Sequence, residues 1–222
     1  MSKRVGLSQT AAKTLVTRPP RLLLIAGATG VGKSTVSVGL AHRLGITRVL
    51  STDAIREIMR VADEERLHPA LHRSSFSRGD SGEPVTDWSA TCLAVENGLK
   101  ATMERARREG IDLIVEGVHI VPSARLLRAW TDDGGVALGV VMTIDDPKDH
   151  EGMLKSRDAH SYRRSDRYLA SFQRIRSIQD GLIERARLLF EPWFFEPRPA
   201  GPQSPGSLSP GLLSRSLASL GF

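Results

Sequence analysis

The segment Gly27-Ala28-Thr29-Gly30-Val31-Gly32-Lys33-Ser34 satisfies the pattern G-x-x-x-x-G-K-[ST] in full. Each residue type has a physical reason to be there. Glycines let successive backbone N–H groups turn inward and approach an anion with no Cβ in the way. A helix starting at the last of them aims its positive end at the same point. A lysine at position 33 reaches the β- and γ-phosphates of a nucleoside triphosphate, and a hydroxyl at position 34 ligates Mg²⁺. Gly27, Thr29, Gly30, Val31, Gly32, Lys33, Ser34 and Thr35 are therefore the candidate nucleotide contacts, with ATP and Mg²⁺ as the implied cofactors. A dinucleotide-binding turn also places glycines after a first strand, with an acid near Asp53. Here, however, the glycines read G-x-x-G-x-G rather than G-x-G-x-x-G, and a Lys-Ser pair has no role in such a turn.

The flanks carry the context this loop needs. Leu22–Ala26 reads as a buried strand and Ser34–Leu44 as a helix. Further on, Arg48–Leu50 is a short strand, and Thr52 is placed to cap a helix that runs to about Val61. Residues 63–84 read as a loop or small helical insert. A helix of about 20 residues through Trp88, Cys92, Val95, Leu99, Met103 and Ala106 ends at Gly110. Ile111–Val115 is a strand, Ser123–Trp130 a helix, Val136–Ile144 a longer strand, and Arg167–Leu189 a last long helix. Strands alternating with helices demand a parallel sheet covered on both faces. The expected fold class is α/β: a three-layer α/β/α P-loop NTPase fold with a helical lid.

Composition bounds the rest. The 222 residues suit one domain with tails, and the 40% hydrophobic fraction is enough for a core. Residues 1–20 are basic and free of acids, and are expected to form a flexible arm. Residues 21–196 form the domain, with a lid at about 147–167. Residues 197–222, fifteen of them Pro, Gly or Ser, are expected to form a flexible tail. One cysteine, Cys92, excludes an intramolecular disulfide framework and a multi-cysteine zinc site. No apolar run approaches the ~20 residues of a membrane span, so a soluble, cytoplasmic chain with no membrane partner is expected. The net charge of +6 is unusual because arginine supplies 25 of the 31 cations. Arginine suits fixed, bidentate contacts with phosphate and carboxylate. No aromatic–basic interleaving or helix-turn-helix signal accompanies it, so a small anionic phosphorylated substrate is expected rather than nucleic acid. The oligomeric state is left open.

In an open parallel sheet, ligands gather at the carboxyl ends of the strands. Asp53 follows the second strand and Glu116 closes the third. Asp53 is the candidate for orienting or deprotonating an acceptor hydroxyl, Glu116 for holding Mg²⁺ together with Ser34, and the two roles can be exchanged. Arg56 shares a helix face with Asp53, and Arg60 continues it. With His72 and Arg73 on the covering loop, and His119 after the third strand, Arg56 makes up the candidate acceptor contacts. The competing reading, for His119 as for His150, is an ordinary surface or capping residue. Between the fourth strand and the last helix, Arg157, Arg163 and Arg167 stand in an arginine-rich block. Such a block suits a lid that closes on the triphosphate, with Arg157 on the nucleotide and Arg163 and Arg167 stabilising transition-state charge alongside Lys33.

Taken together, GATGVGKSTVSVGLAHRLGITRVLSTDAIREIMR (27–60), LHRSSF (71–76), IVEGVHIVP (114–122) and YLASFQRIRSIQ (168–179) resemble the 2-phosphoglycerate kinase family over about residues 21–185. The resemblance implies a nucleoside-monophosphate-kinase-like fold. It also implies ATP-dependent phosphorylation of the 3-hydroxyl of 2-phosphoglycerate, giving 2,3-bisphosphoglycerate and ADP. Two alternatives stay open: a related kinase with a nucleoside, sugar or inositol phosphate as acceptor, and a non-catalytic nucleotide-binding regulatory protein. The chain also departs from the family pattern. Fuller members carry an N-terminal regulatory region with no counterpart in residues 1–20. Kinases of this fold usually add an apolar strand after the last helix, whereas here LLFEPWFFEPRPAGPQSPG follows, and Pro192 argues against a central strand.

Overall fold

The computed structural model describes residues 18–156 and 165–188 and the backbone of 193–197. The expected arm over residues 1–17, the lid segment 157–164 with Arg157 and Arg163, and the tail from 198 lie outside the described residues. Among the described residues five parallel strands form one sheet in the order β2-β3-β1-β4-β5. They are β1 (Arg21–Gly27), β2 (Val49–Ser51), β3 (Leu113–Gly117), β4 (Val136–Thr143) and β5 (Trp193–Pro197). Every residue of β1 and β3 is buried. Because successive strand residues point to opposite faces, that pattern requires helices on both sides.

Among the described residues seven α-helices supply the cover: α1 (Lys33–Leu44), α2 (Thr52–Ala62), α3 (Pro84–Arg108), α4 (Ala124–Thr131), α5 (Pro147–Ser156), α6 (Asp166–Ala170) and α7 (Phe172–Arg187). The long helix α3 places Trp88, Cys92, Val95, Leu99, Met103 and Ala106 in the core, at the helical spacing the sequence shows. Trp88 is fully buried, and its indole Nε1 donates to the Val118 carbonyl at 2.7 Å, so the ring fills the core without leaving a polar atom unpaired.

Three expectations are corrected. A last strand is present: β5 pairs parallel with β4, Gly139 facing Trp193 and Thr143 facing Pro197. Pro192 precedes this strand, and β5 lies at the edge of the sheet, where proline is tolerated. The α2 cap is Ser51, whose Oγ accepts from the Asp53 amide at 3.1 Å. Thr52 is instead fully buried. The last long helix is broken at Ser171 into α6 and α7. The region expected to be a helical lid opens with α5.

At the opposite end of the sheet from the glycine loop, Asp112 joins β1 to β3. Its carboxylate accepts from the Arg21 amide at 2.8 Å and from the Arg18 and Arg21 guanidinium groups. Partial burial raises the carboxyl's pKa, but hydrogen bonds from Arg18 and Arg21 outweigh it and bring the value from the usual 3.8 to about 2. Because the folded value is depressed, this stabilisation is present above pH 3.8 and is lost as pH falls towards 2. Asp112→Asn is therefore expected to lower Tm at neutral pH and to flatten the Tm profile between about pH 4 and pH 2, measured by scanning fluorimetry.

Candidate active site

The parallel register brings the carboxyl ends of β1, β2 and β3 to one edge, with Glu116 level with Ile25 and with Ser51. The glycine loop follows β1 there. Gly30 and Gly32 have φ of 94° and 87°, a left-handed backbone that glycine adopts without strain. A Cβ on Gly30 would come within 2.5 Å of Leu154 on α5, so the loop also needs glycine for space. Gly32 caps α1 without a side-chain hydrogen bond, and no acid occupies the first turn, so the helix N-terminus presents amides with no competing carboxylate.

Lys33 Nζ donates to the Ala28 carbonyl at 2.8 Å, folded back over the loop. Ser34 Oγ donates to Glu116 Oε1 at 2.9 Å across the sheet edge, and Glu116 is buried. A hydroxyl and a carboxylate oxygen side by side form a donor set suited to Mg²⁺, which takes one or two protein oxygens and fills its octahedron with water and phosphate. Among the described residues no cluster of three or more His, Cys, Asp or Glu could hold a metal by itself. The glycine cradle and the Ser34–Glu116 pair thus fit a Mg²⁺-nucleotide.

His150 is fully buried, not on the surface, and its Nε2 lies 2.8 Å from the Thr29 carbonyl, tying α5 to the phosphate loop. His119 is also buried, with Nδ1 3.1 Å from Thr52 Oγ1 and 3.8 Å from Asp53 Oδ1. Burial pushes its pKa well below the ordinary histidine range. Asp53 opposes that fall, while the charges of Arg56 and Lys33 add to it. His119 is therefore neutral at physiological pH, and its Nε2 has no partner among the described residues. The Asp53 side chain is exposed beside it, at the mouth of the site.

One helical turn beyond Asp53, a cleft of about 480 Å³ opens, lined by Arg56, Arg60, Arg66, Arg73 and Arg167 together with Glu57 and His72. Arg56 also braces the loop, donating to the Leu71 carbonyl at 2.8 Å and to that of Arg73 at 3.3 Å. Arg73 donates through Nη2 to the Asp87 carbonyl, and its buried Nε has no partner among the described residues. Arg167 reaches the same cleft, where it bonds Ser74 Oγ and lies over the Phe76 ring.

Several residues that shape the cleft did not stand out in the sequence. Asp87, at the start of α3, accepts from the Gly79 amide at 2.7 Å, from Ser81 and from Arg174 on α7 at 2.8 Å. Burial alone raises this carboxyl, but the bonds hold it far below the usual carboxylate range. Arg174 also donates to the Phe76 and Gly82 carbonyls, stapling down the loop that forms one wall. Asp63, just past α2, accepts from the Leu67 and His68 amides and from the rings of His68 and His72. Burial raises its pKa, yet these four bonds bring it to about 2. Arg66 lines the cleft from a left-handed conformation, φ 54°, within the loop that Asp63 closes. A signal for Asp63 existed: an acid just past a helix with histidines five and nine residues on. The Asp87–Arg174 pairing spans 87 residues and has no local signal.

A parallel α/β sheet, a glycine cradle at the end of its central strand and a hydroxyl–carboxylate pair beside it define a P-loop nucleotide-binding protein. The fold matches shikimate kinase from Acinetobacter baumannii, solved in complex with shikimate, with a TM-score of 0.50 at 14% identity, over 91% of this chain and 96% of that one. The chain belongs to the AAA domain family, which matches residues 22–181. Among curated proteins it is similar to the 2-phosphoglycerate kinase of Methanopyrus kandleri, 39% identical over 176 residues, covering 75% of this chain and 53% of that protein. It is similar also to the 2-phosphoglycerate kinase of Thermococcus kodakarensis, 36% identical over 196 residues, covering 82% and 65%. The chain thus spans between about half and two thirds of the length of these relatives.

Proposed function

We propose that the chain is an ATP-dependent small-molecule kinase that transfers a phosphoryl group to the 3-hydroxyl of 2-phosphoglycerate, yielding 2,3-bisphosphoglycerate and ADP. One observation carries this reading: five arginines line a cleft one helical turn from Asp53, on the helix that follows β2. A substrate with both a phosphate and a carboxylate needs several fixed guanidinium groups, which is what this cleft offers. The resemblance to 2-phosphoglycerate kinases supports the choice of acceptor.

In this reading the loop amides and Lys33 bind the β- and γ-phosphates, with Gly27, Thr29, Gly30, Val31, Gly32, Ser34 and Thr35 shaping the cradle. Ser34 and Glu116 are the residues that would hold Mg²⁺, which when bound neutralises charge on the phosphate oxygens. Asp53 orients the acceptor hydroxyl and takes its proton. Arg56, His72 and Arg73 bind the anionic groups of the acceptor, and His119 contributes a neutral contact. Arg167 stabilises developing negative charge from the acceptor side. Arg157 and Arg163 are assigned to nucleotide and transition state from their place in the sequence alone. Among the described residues no helix is long and apolar enough to cross a membrane. A cytoplasmic enzyme without a nucleic-acid partner completes the proposal.

The test is a coupled ADP-release assay with Mg²⁺ across 2-phosphoglycerate, 3-phosphoglycerate, glycerate and nucleoside monophosphates. ADP release is expected to depend on 2-phosphoglycerate. The same ATP turnover with every acceptor, or with none, would overturn the assignment.

A further inference from the structure

Arg167 is an exposed residue of α6, yet it lines the cleft together with Arg56, Arg60, Arg66 and Arg73, whose like charges repel it. Among the described residues no carboxylate pairs with Arg167. A long cationic side chain in such a place ordinarily spreads over many rotamers. Two contacts hold this one. Its Nη2 donates to Ser74 Oγ, and its Cζ lies 5.3 Å from the centroid of the Phe76 ring. The face of an aromatic ring carries the negative side of its quadrupole, so it attracts a guanidinium without neutralising its charge.

Phe76 is itself fixed in place. Its ring is buried and packs tilted against Tyr168 of α6, with centroids 5.4 Å apart. Its carbonyl accepts from Arg174 Nε at 3.0 Å. Arg174 in turn donates to the Gly82 carbonyl and to Asp87 Oδ2, each at 2.8 Å. Asp87 closes the same loop by accepting from the Gly79 amide at 2.7 Å. The backbone at position 76 therefore cannot drift without breaking bonds in a network built on a buried carboxylate.

We propose that Phe76 is a positioning residue for anion binding: its ring holds the Arg167 guanidinium in the cleft before a phosphorylated anion arrives. Phe76 is buried and does not itself touch the anion. It raises the fraction of molecules in which Arg167 is already placed, and apparent affinity scales with that fraction. A carboxylate would also hold the arginine, but it would compete with the anion for the same donors. A ring does not. The proposal rests on the cleft being the acceptor site, as the preceding section holds.

The test replaces Phe76 in the full chain, by site-specific incorporation, with mono-, di- and trifluorinated phenylalanine. Fluorine withdraws charge from the ring face with little change in size. Relaxation of the Arg167 Nε–H group in ¹⁵N NMR reports guanidinium order in the ligand-free protein. Calorimetry measures affinity for inorganic phosphate and for 2-phosphoglycerate, with a non-hydrolysable ATP analogue filling the phosphate loop. Order and affinity are expected to fall together along the series, with Kd rising by about 2- to 30-fold at its end. In an Arg167→Ala background the series is expected to be flat. Phe76→Leu, which removes the ring, is expected to be non-additive with Arg167→Ala. The proposal is overturned by an Arg167 already mobile in the parent protein, or by affinity that ignores the series. The same decline in the Arg167→Ala background would also overturn it, since Phe76 would then only shape the wall. If inorganic phosphate follows the series while 2-phosphoglycerate neither binds nor turns over, the positioning role stands and the substrate assignment falls. If 2-phosphoglycerate turns over and neither affinity follows the series, the reverse holds.

Discussion

Lys33→Ala is expected to lower kcat by about 10²–10⁴-fold, equivalent to roughly 3–5 kcal/mol of lost transition-state stabilisation. The reason lies in where the ammonium sits. It is anchored 2.8 Å from the Ala28 carbonyl, within the glycine loop proposed to cradle the phosphates. An alanine keeps the backbone cradle and the α1 N-terminus, so nucleotide binding is expected to weaken less than turnover. Lys33 is only half-buried, and its removal leaves no charge stranded in the core. Tm is therefore expected to shift little. A steady-state ADP assay alongside equilibrium nucleotide binding checks both halves. Turnover within threefold of the parent protein would remove Lys33 from the catalytic set.

Asp53→Asn should cost nearly as much, about 10²–10⁴-fold in kcat, with a smaller effect on KM for the acceptor. The amide preserves size and can still orient a hydroxyl, but it cannot take a proton. Asp53 is exposed at the start of α2, so its environment does not hold it in the fold. Its alternative role, a carboxylate interacting with the helix N-terminus, predicts a different outcome: a modest fall in Tm with turnover retained. Measuring kcat and Tm on the same variant separates the two. The neighbouring His119 sharpens the test. Being neutral, with its Nδ1 3.8 Å from Asp53, it is placed to touch that carboxylate without neutralising it.

Much of this architecture was legible in the amino-acid order because its causes are local. A glycine loop, a following lysine and hydroxyl, and the alternation of short apolar runs with helical periods depend on near neighbours, and they lead to a parallel sheet with a phosphate site. The Ser34–Glu116 contact, though 82 residues apart in sequence, followed from the same logic, since in such a sheet the carboxyl ends of neighbouring strands must meet. The corrections fall where two local preferences compete. Ser51 and Thr52 both suit a helix cap, and the choice went to Ser51 because Thr52 is buried against His119. Pro192 reads as a strand breaker, yet an edge strand beginning one residue later accommodates it.

The sequence by itself determined the class of fold, the phosphate loop and the sheet edge where a reaction could take place. Only the tertiary structure decided which arginines share one cleft, that Asp87 and Arg174 clamp its wall, and that Asp63 grips His72. The physical reason is range. Backbone conformation answers to residues within a turn or two, whereas a cluster of like charges is assembled by chain segments as far apart as Arg56 and Arg167, held against their mutual repulsion by packing and buried hydrogen bonds.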